Sequence, residues 1–328
     1  MENMVDINET EIFNRYPDVL ATLLKDRTTG RNIFWATDSY AHLGTGFSFG
    51  DCITIEHIIG VNGQIIRPRA LKNREAKKKR SREMAEVFTP SWICNKQNNL
   101  VDNARFEREN VFNTEVDPPD GTHTWIPTEG KIDFPEYLPW REYLSSNCLE
   151  ITCGEAPYLA SRYDTVTGKP IPLGMRIGML DRKMRIANEN TTTNSEWMEA
   201  TLTAFQSTYG YEWQGDNIVL AREALLYSFI DYYRDRWGEE PPMEQIQRIA
   251  EIVSWNIWQM DGLKCVIPNS CGLRPSSQHL LFEEPKMVPC EGCKTGNMHK
   301  HNGIYCKIKD WSNGEVLTFV SMIKDGKE

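Results

Sequence analysis

The sequence predicts an α/β domain with a parallel-type sheet, preceded by an N-terminal α+β region and followed by a small Cys/His-rich C-terminal tail. From Leu149 onward, short apolar runs alternate with longer helical stretches, which is typical of βα units. The N-terminal region combines a hairpin signal with a long charged helix, and cysteines and histidines cluster after residue 289. These changes in composition divide the chain into residues 1–112, 113–147, 148–275 and 276–328.

The N-terminal region contains a signal for a β-hairpin. Residues 52–60 are rich in β-branched and apolar side chains, and Asn62 and Gly63 form the dipeptide most typical of a two-residue hairpin turn. We expect the return strand to begin at Gln64. Residues 70–87 lack Pro and Gly and are rich in Lys, Arg, Glu and Ala, so we expect a charged helix that ends before Pro90.

The remaining elements follow from turn residues and helical periodicity. Residues 113–141 carry five prolines and read as a turn-rich connector. Apolar residues at helical spacing, flanked by suitable start and stop residues such as Gly238, predict three further helices. These helices cover residues 182–205, 217–237 and 241–253.

Composition and charge limit the class of protein. The 328 residues, 40% apolar and 25% charged, suit about two ordinary globular domains and exclude a collagen-like, coiled-coil or wholly disordered chain. No apolar run approaches the ~18 residues of a membrane span, and the N-terminus lacks the pattern of a signal peptide. Nine cysteines, most of them scattered, argue against a disulfide framework. We therefore expect a cytoplasmic protein that does not act at a membrane.

Three segments, in this order, have the features of a pocket for S-adenosylmethionine. Residues 149–159 form a short strand followed by a loop with Gly154, Glu212 follows the strand-like residues 209–211, and Asp261 ends a third strand. Ligands of open α/β sheets lie at the carboxyl ends of the strands, where these groups fall. A nucleotide-binding P-loop is excluded at Gly168 and Lys169, because the required glycine five positions earlier is Tyr163.

Together with the element Phe88-Thr89-Pro90, these segments make residues 80–265 resemble the N6-adenine DNA methyltransferases, especially the modification subunits of restriction-modification systems. The resemblance implies a Rossmann-like methyltransferase domain that binds S-adenosylmethionine and double-stranded DNA. It implies a role for the Phe-Thr-Pro element at the methionine end of the cofactor, for Glu212 at the ribose and for Asp261 at the adenine amino group. The first cofactor loop would comprise Glu150, Cys153 and Gly154.

The chain departs from that family at two points. Glu155 and Ala156 follow Gly154 where the family has Ser-Gly, and the catalytic tetrapeptide Asn/Asp-Pro-Pro-Tyr/Phe does not follow Asp261. The sequence 117–120, Asp-Pro-Pro-Asp, has the wrong last residue and reads as a turn. Only 67 residues follow Asp261, too few for the usual target-recognition domain. We therefore assign no catalytic residue and expect that recognition of the target requires a separate subunit.

The tail contains a second group of candidate functional residues, which could bind a metal ion. Two thiolates spaced as in Cys290-x-x-Cys293 form one edge of a tetrahedral zinc site, and a later His and Cys complete it. His299 and His301 compete for the fourth position; the set that we favour is Cys290, Cys293, His301 and Cys306. A closed set of four ligands would make the zinc structural. The alternative is that these are reduced cysteines in a surface loop.

The net charge of −9 is unevenly distributed. Residues 67–82 contain nine basic side chains and one acid, a charge of +8, so the rest of the chain carries −17. On one helix face these charges would bind phosphates of duplex DNA without sequence preference. The expected contacts are Lys77, Lys78, Lys79 and Arg80. The alternative is a solvated helix face.

These observations favour a DNA adenine methyltransferase-like protein that binds cofactor and DNA. Two other classes remain open. One is a non-catalytic relative that serves as a DNA-binding subunit, an interaction subunit or a decoy. The other is a metal-dependent nuclease in which His299, His301 and Asn302 would hold the catalytic metal.

Overall fold

The computed structural model describes residues 9–84, 86–87, 89–119, 121–275 and 287–323. The helices are α1 (Glu9–Arg15), α2 (Pro17–Leu23), α3 (Ile55–Ile58), α4 (Arg74–Met84), α5 (Ser91–Phe106), α6 (Trp140–Ser145), α7 (Met179–Asn190), α8 (Asn194–Gln206), α9 (Gly215–Trp237), α10 (Met243–Asn256) and α11 (Glu291–Thr295). The strands are β1 (Asn113–Val116), β2 (Thr124–Pro127), β3 (Cys148–Glu150), β4 (Thr208–Glu212), β5 (Ile257–Gln259), β6 (Arg274–Pro275), β7 (Met287–Val288), β8 (Lys307–Lys309) and β9 (Val316–Thr318).

A three-stranded parallel sheet, in the order β3-β4-β5, organises the chain. Glu150 of β3 pairs with Gly210 of β4, and Glu212 of β4 pairs with Gln259 of β5. The connections are helical, with α7 and α8 between the first two strands and α9 and α10 between the last two. The predicted mixed α/β class with a parallel sheet is therefore confirmed. The sheet has the size of one βαβαβ unit, half of a doubly wound sheet.

Helix α9 is the central helix, and most of its length is buried. It ends where Gly238 adopts a left-handed conformation with φ of 71°, the stop expected from the sequence. The helix expected over residues 182–205 is instead two helices. Thr193 starts the second of them, because its side chain accepts a hydrogen bond from the Glu196 backbone N–H and the Glu196 side chain reciprocates.

The N-terminal helices belong to the same core as the sheet. Helix α2 packs against α10, and the apolar side chains of α2 are buried in one cluster with those of α9. Arg222, 1% exposed on α9, donates hydrogen bonds to four carbonyl groups from distant parts of the chain. These carbonyls belong to Leu23, Lys25, Ser254 and Ile257.

The predicted hairpin around Asn62 and Gly63 is wrong. Residues 55–58 form the short helix α3, capped at Thr54 by His57, and residues 60–62 form a 3₁₀ turn. Gly63 has φ of −63°, so the left-handed geometry that makes an Asn-Gly turn specific is not used. Without a strand partner on either side, the dipeptide joins helical turns instead.

The charged helix and the connector are both formed. Helix α4 is shorter than expected and follows a 3₁₀ turn at residues 69–71. The connector contains the antiparallel pair β1 and β2, which the prolines did not indicate. None of the helices in the described part of the chain combines the length and apolar character of a membrane span.

Candidate functional site

A cavity of about 730 Å³ opens at the carboxyl edge of the parallel sheet. The loops that follow β3 and β4 form its floor, and N-terminal residues together with the segment after α4 form its walls. Its volume lies within the range of about 300–1,000 Å³ found for small-molecule sites. The edge is also where open α/β sheets bind their ligands.

The loop after β3 makes a sharp turn. Thr152 and Gly154 adopt positive φ values of 47° and 55°, and Ala156 follows with 59°. The Cys153 N–H donates to the carbonyl oxygen of Tyr211 at 2.9 Å, which fixes the loop to the neighbouring strand. The turn leaves the Gly154 N–H directed at the end of β4.

Glu212 ends β4 and is 7% exposed. One carboxylate oxygen accepts a hydrogen bond from the Gly154 N–H at 3.0 Å, and the other accepts from the Gln214 N–H at 3.1 Å. Burial raises the pKa of Glu212, and these backbone donors oppose the rise. The carboxylate is thus held in one orientation at the cavity floor.

Glu150, at the end of β3, lines the same cavity. Burial raises the pKa of its carboxyl group well above the usual range, while the N–H groups of Tyr158 and Leu159 oppose the rise. Its Oε2 atom is buried and has no hydrogen-bond partner among the described residues. A buried acceptor of this kind is costly unless a ligand or water satisfies it.

Several residues expected at the cofactor meet in this cavity. Those that line it are Thr89, Glu150, Cys153, Gly154 and Glu212. Phe88 lies outside the described residues, and Pro90 precedes α5 without lining the cavity.

Asp261 also lies away from the cavity. Its carboxylate pairs with Lys264 at 2.9 Å and accepts a hydrogen bond from the Leu263 N–H, so it closes its own turn. The expected contact of Asp261 with the adenine therefore has no support from this geometry.

Sequence reasoning missed the N-terminal wall of the cavity. Residues 36–39 and Phe49 line it together with Glu150 and Glu212. No motif or periodicity marks these residues, because their placement depends on contacts with segments more than 150 residues away. Trp213 also lines the cavity, and its position beside Glu212 was a usable signal.

Arg80 is not available to phosphate, which corrects its expected role in DNA binding. The side chain is buried, and its guanidinium pairs with Glu86 at 2.5 Å and with Asp216 at 2.8 Å. Burial opposes ionisation of Asp216, but the charges of Arg80 and Lys72 prevail and hold its pKa well below the usual range. Tyr40 donates to the same carboxylate at 2.8 Å. This ionic cluster fastens α4 to the start of α9.

The other three basic residues keep a surface position. Lys77 is half-buried and donates to the carbonyl oxygen of Ala70 at 2.8 Å. Lys78 and Lys79 are exposed, and Lys79 also lines the cavity. Lys79 therefore brings one exposed charge of α4 to the cavity.

A second site lies in the C-terminal region, where four side chains could hold a metal ion. They are Cys271, Cys290, Cys293 and His301, whose ligand atoms all lie within 4.8 Å of one another. The three Sγ atoms lie 3.6, 3.6 and 3.7 Å from His301 Nδ1. Bond lengths of about 2.3 Å to sulfur and 2.0 Å to nitrogen give a tetrahedral S···N edge of about 3.5 Å.

Cys306, which was expected as a ligand, does not belong to this group, so the geometry gives its expected role no support. Cys306 is fully buried, and its thiol donates to the carbonyl oxygen of Gln259 at 3.4 Å. It packs in an apolar cluster with Trp258 and Ile308. Cys271, which lies outside the Cys290-x-x-Cys293 spacing, is the third cysteine of the group. His301 rather than His299 supplies the imidazole.

Local backbone geometry prepares the ligands. The Asn302 N–H donates to Cys290 Sγ at 3.2 Å. Burial opposes formation of the Cys290 thiolate, but this bond and its neighbours prevail and lower the pKa of Cys290 to about 6. Gly292 is required for the close approach of His301, because a Cβ atom at residue 292 would lie 2.6 Å from the backbone nitrogen of His301.

Comparison with known proteins found no matching family model, no matching curated protein and no matching solved structure. The functional argument therefore depends on the cavity, the basic helix and the metal-ligand cluster.

Proposed function

We propose that the chain binds S-adenosylmethionine in the cavity at the sheet edge and is a DNA adenine methyltransferase-like protein with a Rossmann-like fold. One observation carries the proposal. Gly154 of the expected first cofactor loop and Glu212, the acid expected at the ribose, meet at 3.0 Å on the floor of one cavity. A carboxylate that ends a strand beside a glycine turn is suited to a ribose diol.

The charge of the cavity favours a cation over a phosphorylated nucleotide. Asp38, Glu150 and Glu212 line it and form no ion pair within the described chain, whereas Lys79 is the basic residue in its lining. The cationic sulfonium and ammonium groups of S-adenosylmethionine would favour the ionised forms of Glu150 and Glu212, whose pKa burial raises, and would also attract the Asp38 carboxylate. The same carboxylates would repel the phosphates of a nucleoside triphosphate or dinucleotide.

The basic helix supports duplex DNA as the partner. Lys78 and Lys79 are exposed and Lys79 lines the cavity, so a duplex on α4 would bring its bases near the cofactor. Lysine contacts to phosphates give salt-dependent affinity without sequence preference. Sequence selection would then come from a separate target-recognition subunit.

Catalysis by the chain alone is expected to be weak. A base-flipping methyltransferase needs hydrogen-bond acceptors and a stacking surface for the extruded adenine, and the tetrapeptide that supplies them in the resembling family is not found after Asp261. Tritiated methyl transfer to mixed-sequence duplex DNA tests this expectation. Multiple turnovers by the purified chain would contradict it.

For the C-terminal cluster we propose a structural zinc ion. Three thiolates and one imidazole are soft ligands that select zinc over magnesium or calcium. Four protein ligands close the coordination shell and leave no position for water or substrate. This arrangement disfavours the nuclease alternative, in which His301 would need an open metal position. His299 is exposed and stands apart from the four ligands.

Calorimetric titration of the purified chain tests the cofactor proposal. We expect saturable binding of S-adenosylmethionine and of its product S-adenosylhomocysteine, with no comparable binding of ATP or NAD. Equal affinity for ATP, or no heat with either sulfur compound, would overturn the proposal.

A further inference from the structure

The N-terminal segment of residues 34–39 lies over the carboxyl end of β5. The Gln259 side-chain amide pairs with the Phe34 backbone in both directions, at 3.1 and 2.9 Å. The Gly215 N–H donates to the Trp35 carbonyl oxygen at 3.0 Å. A Cβ at residue 215 would lie 2.1 Å from the Phe34 carbonyl oxygen, so the glycine is required for this close contact.

This segment lies beside Glu212, where Asp261 at the end of the third strand was expected. Asp261 is 4% exposed and closes its own turn with Lys264, while Asp38 lines the cavity. A ligand whose ribose is bound at Glu212 would therefore direct its base toward residues of the N-terminal wall rather than toward Asp261.

Two aromatic side chains and one acid are available there. The Trp213 indole N–H donates to the Ala36 carbonyl oxygen at 3.3 Å, which fixes that ring to the wall. Phe49 is half-buried and packs on Phe34, with 6.1 Å between ring centroids. The Phe49 N–H donates to Asp38 Oδ1 at 3.0 Å. The second carboxylate oxygen of Asp38 has no partner among the residues that the structure describes.

We propose that Trp213 and Phe49 hold the adenine ring of the cofactor and that the second oxygen of Asp38 accepts a hydrogen bond from the 6-amino group. This inference rests on the proposed cofactor and assigns its base-recognition subsite to the N-terminal wall. Aromatic faces bind any base by stacking, whereas a carboxylate acceptor distinguishes a 6-amino group from a 6-oxo group. The wall then decides which purine enters the site.

The test compares S-adenosylhomocysteine with S-inosylhomocysteine, which differ in the purine ring by an amino or an oxo group at position 6. We expect the wild-type chain to bind the adenosyl compound about tenfold more tightly, the effect of one hydrogen bond to a charged group that is exposed to solvent. Asp38→Asn should remove most of this preference. The asparagine keeps a carbonyl oxygen for the Phe49 N–H, so the wall should stay folded. Phe49→Leu should weaken both compounds alike.

Asp261→Asn is the matched control and should leave the preference unchanged. Loss of preference in Asp261→Asn, or its full retention in Asp38→Asn, would overturn the assignment while leaving cofactor binding intact. Failure of the wild-type chain to bind either compound would overturn the cofactor proposal and this inference together. Thermal unfolding of each variant verifies that the fold is retained.

Discussion

The carboxylate of Glu212 accepts a hydrogen bond from the backbone N–H of Gly154 at 3.0 Å, across 58 residues of sequence. Gly154 lies in the loop after β3 and Glu212 is the last residue of the adjacent parallel strand β4, so the sheet register brings them together. The bond orients the carboxylate and joins the glycine loop to the acid before any ligand enters. Such preorganisation lowers the cost of ordering the site on binding.

Replacing Glu212 should weaken cofactor binding. In Glu212→Gln an NH₂ group replaces one acceptor oxygen and faces a backbone N–H. We expect the binding free energy of the cofactor to weaken by about 1.5–3 kcal/mol for each charge-assisted hydrogen bond removed. Calorimetry with S-adenosylmethionine measures the loss. Glu199→Gln, an exposed glutamate on α8, is the matched control. Equal affinity in both variants and wild type would remove Glu212 from the site.

The pH dependence of stability should report the ionisation of Glu155. Burial raises the pKa of this carboxyl group from 4.5 to about 7, although Lys72 and the Tyr163 hydroxyl oppose the rise. The folded state therefore binds the proton more tightly than the unfolded state. The contribution of Glu155 to stability is full below the unfolded value of 4.5 and is lost as the pH rises through 7, a change of about 3 kcal/mol for this group.

The variant Glu155→Gln isolates that effect. It cannot ionise, so its stability should decline less between pH 5 and pH 7 than that of the wild type. Urea unfolding at several pH values gives the two slopes. Identical slopes would show that Glu155 titrates near its ordinary value.

Metal content distinguishes Cys271 from Cys306 as the fourth ligand. We expect about one zinc per chain in protein purified without added metal, retention of that zinc in Cys306→Ala, and its loss in Cys271→Ser. Mass spectrometry of the metal content is the measurement. Zinc lost from the Cys306 variant but kept by the Cys271 variant would favour the ligand set expected from sequence spacing.

Charge reversal on α4 should separate DNA contact from folding. The double variant Lys78→Glu/Lys79→Glu should bind unrelated duplexes more weakly, with a salt slope reduced by about two if each lysine contacts one phosphate. Fluorescence anisotropy at several salt concentrations measures this slope.

Arg80→Gln provides the contrast in the same helix. It leaves Asp216 without its main partner, so we expect a loss of about 3–5 kcal/mol in the free energy of unfolding. A reduced salt slope in a stably folded Arg80→Gln variant would restore Arg80 to the phosphate contacts.

The sequence predicted the features that depend on local pattern. Alternating apolar and helical segments indicated the parallel sheet, and the position of Glu212 at the end of a strand follows directly from that pattern. The Asn62-Gly63 signal failed because a hairpin turn also needs two strands that pair, and residues 55–58 fold as a helix.

Features that depend on distant contacts were beyond the sequence. Cys271 lies 19 residues before Cys290, outside the compact spacing that suggested the metal site, and only the fold brings their sulfurs together. Arg80 belongs to a run of basic residues, yet its burial depends on Asp216, 136 positions later. Residues 36–39 reach the cavity for the same kind of reason.

The hydrogen bonds of Arg222 have a consequence for the order of folding. Its guanidinium reaches back 199 residues to Leu23 and 197 residues to Lys25, and forward to Ser254 and Ile257. Contacts between residues so far apart in sequence form only at the entropic cost of closing long loops, which slows folding. During synthesis, helix α2 leaves the ribosome long before α9 and α10 exist. Its apolar face therefore cannot be buried against α9 and α10 until most of the chain is made.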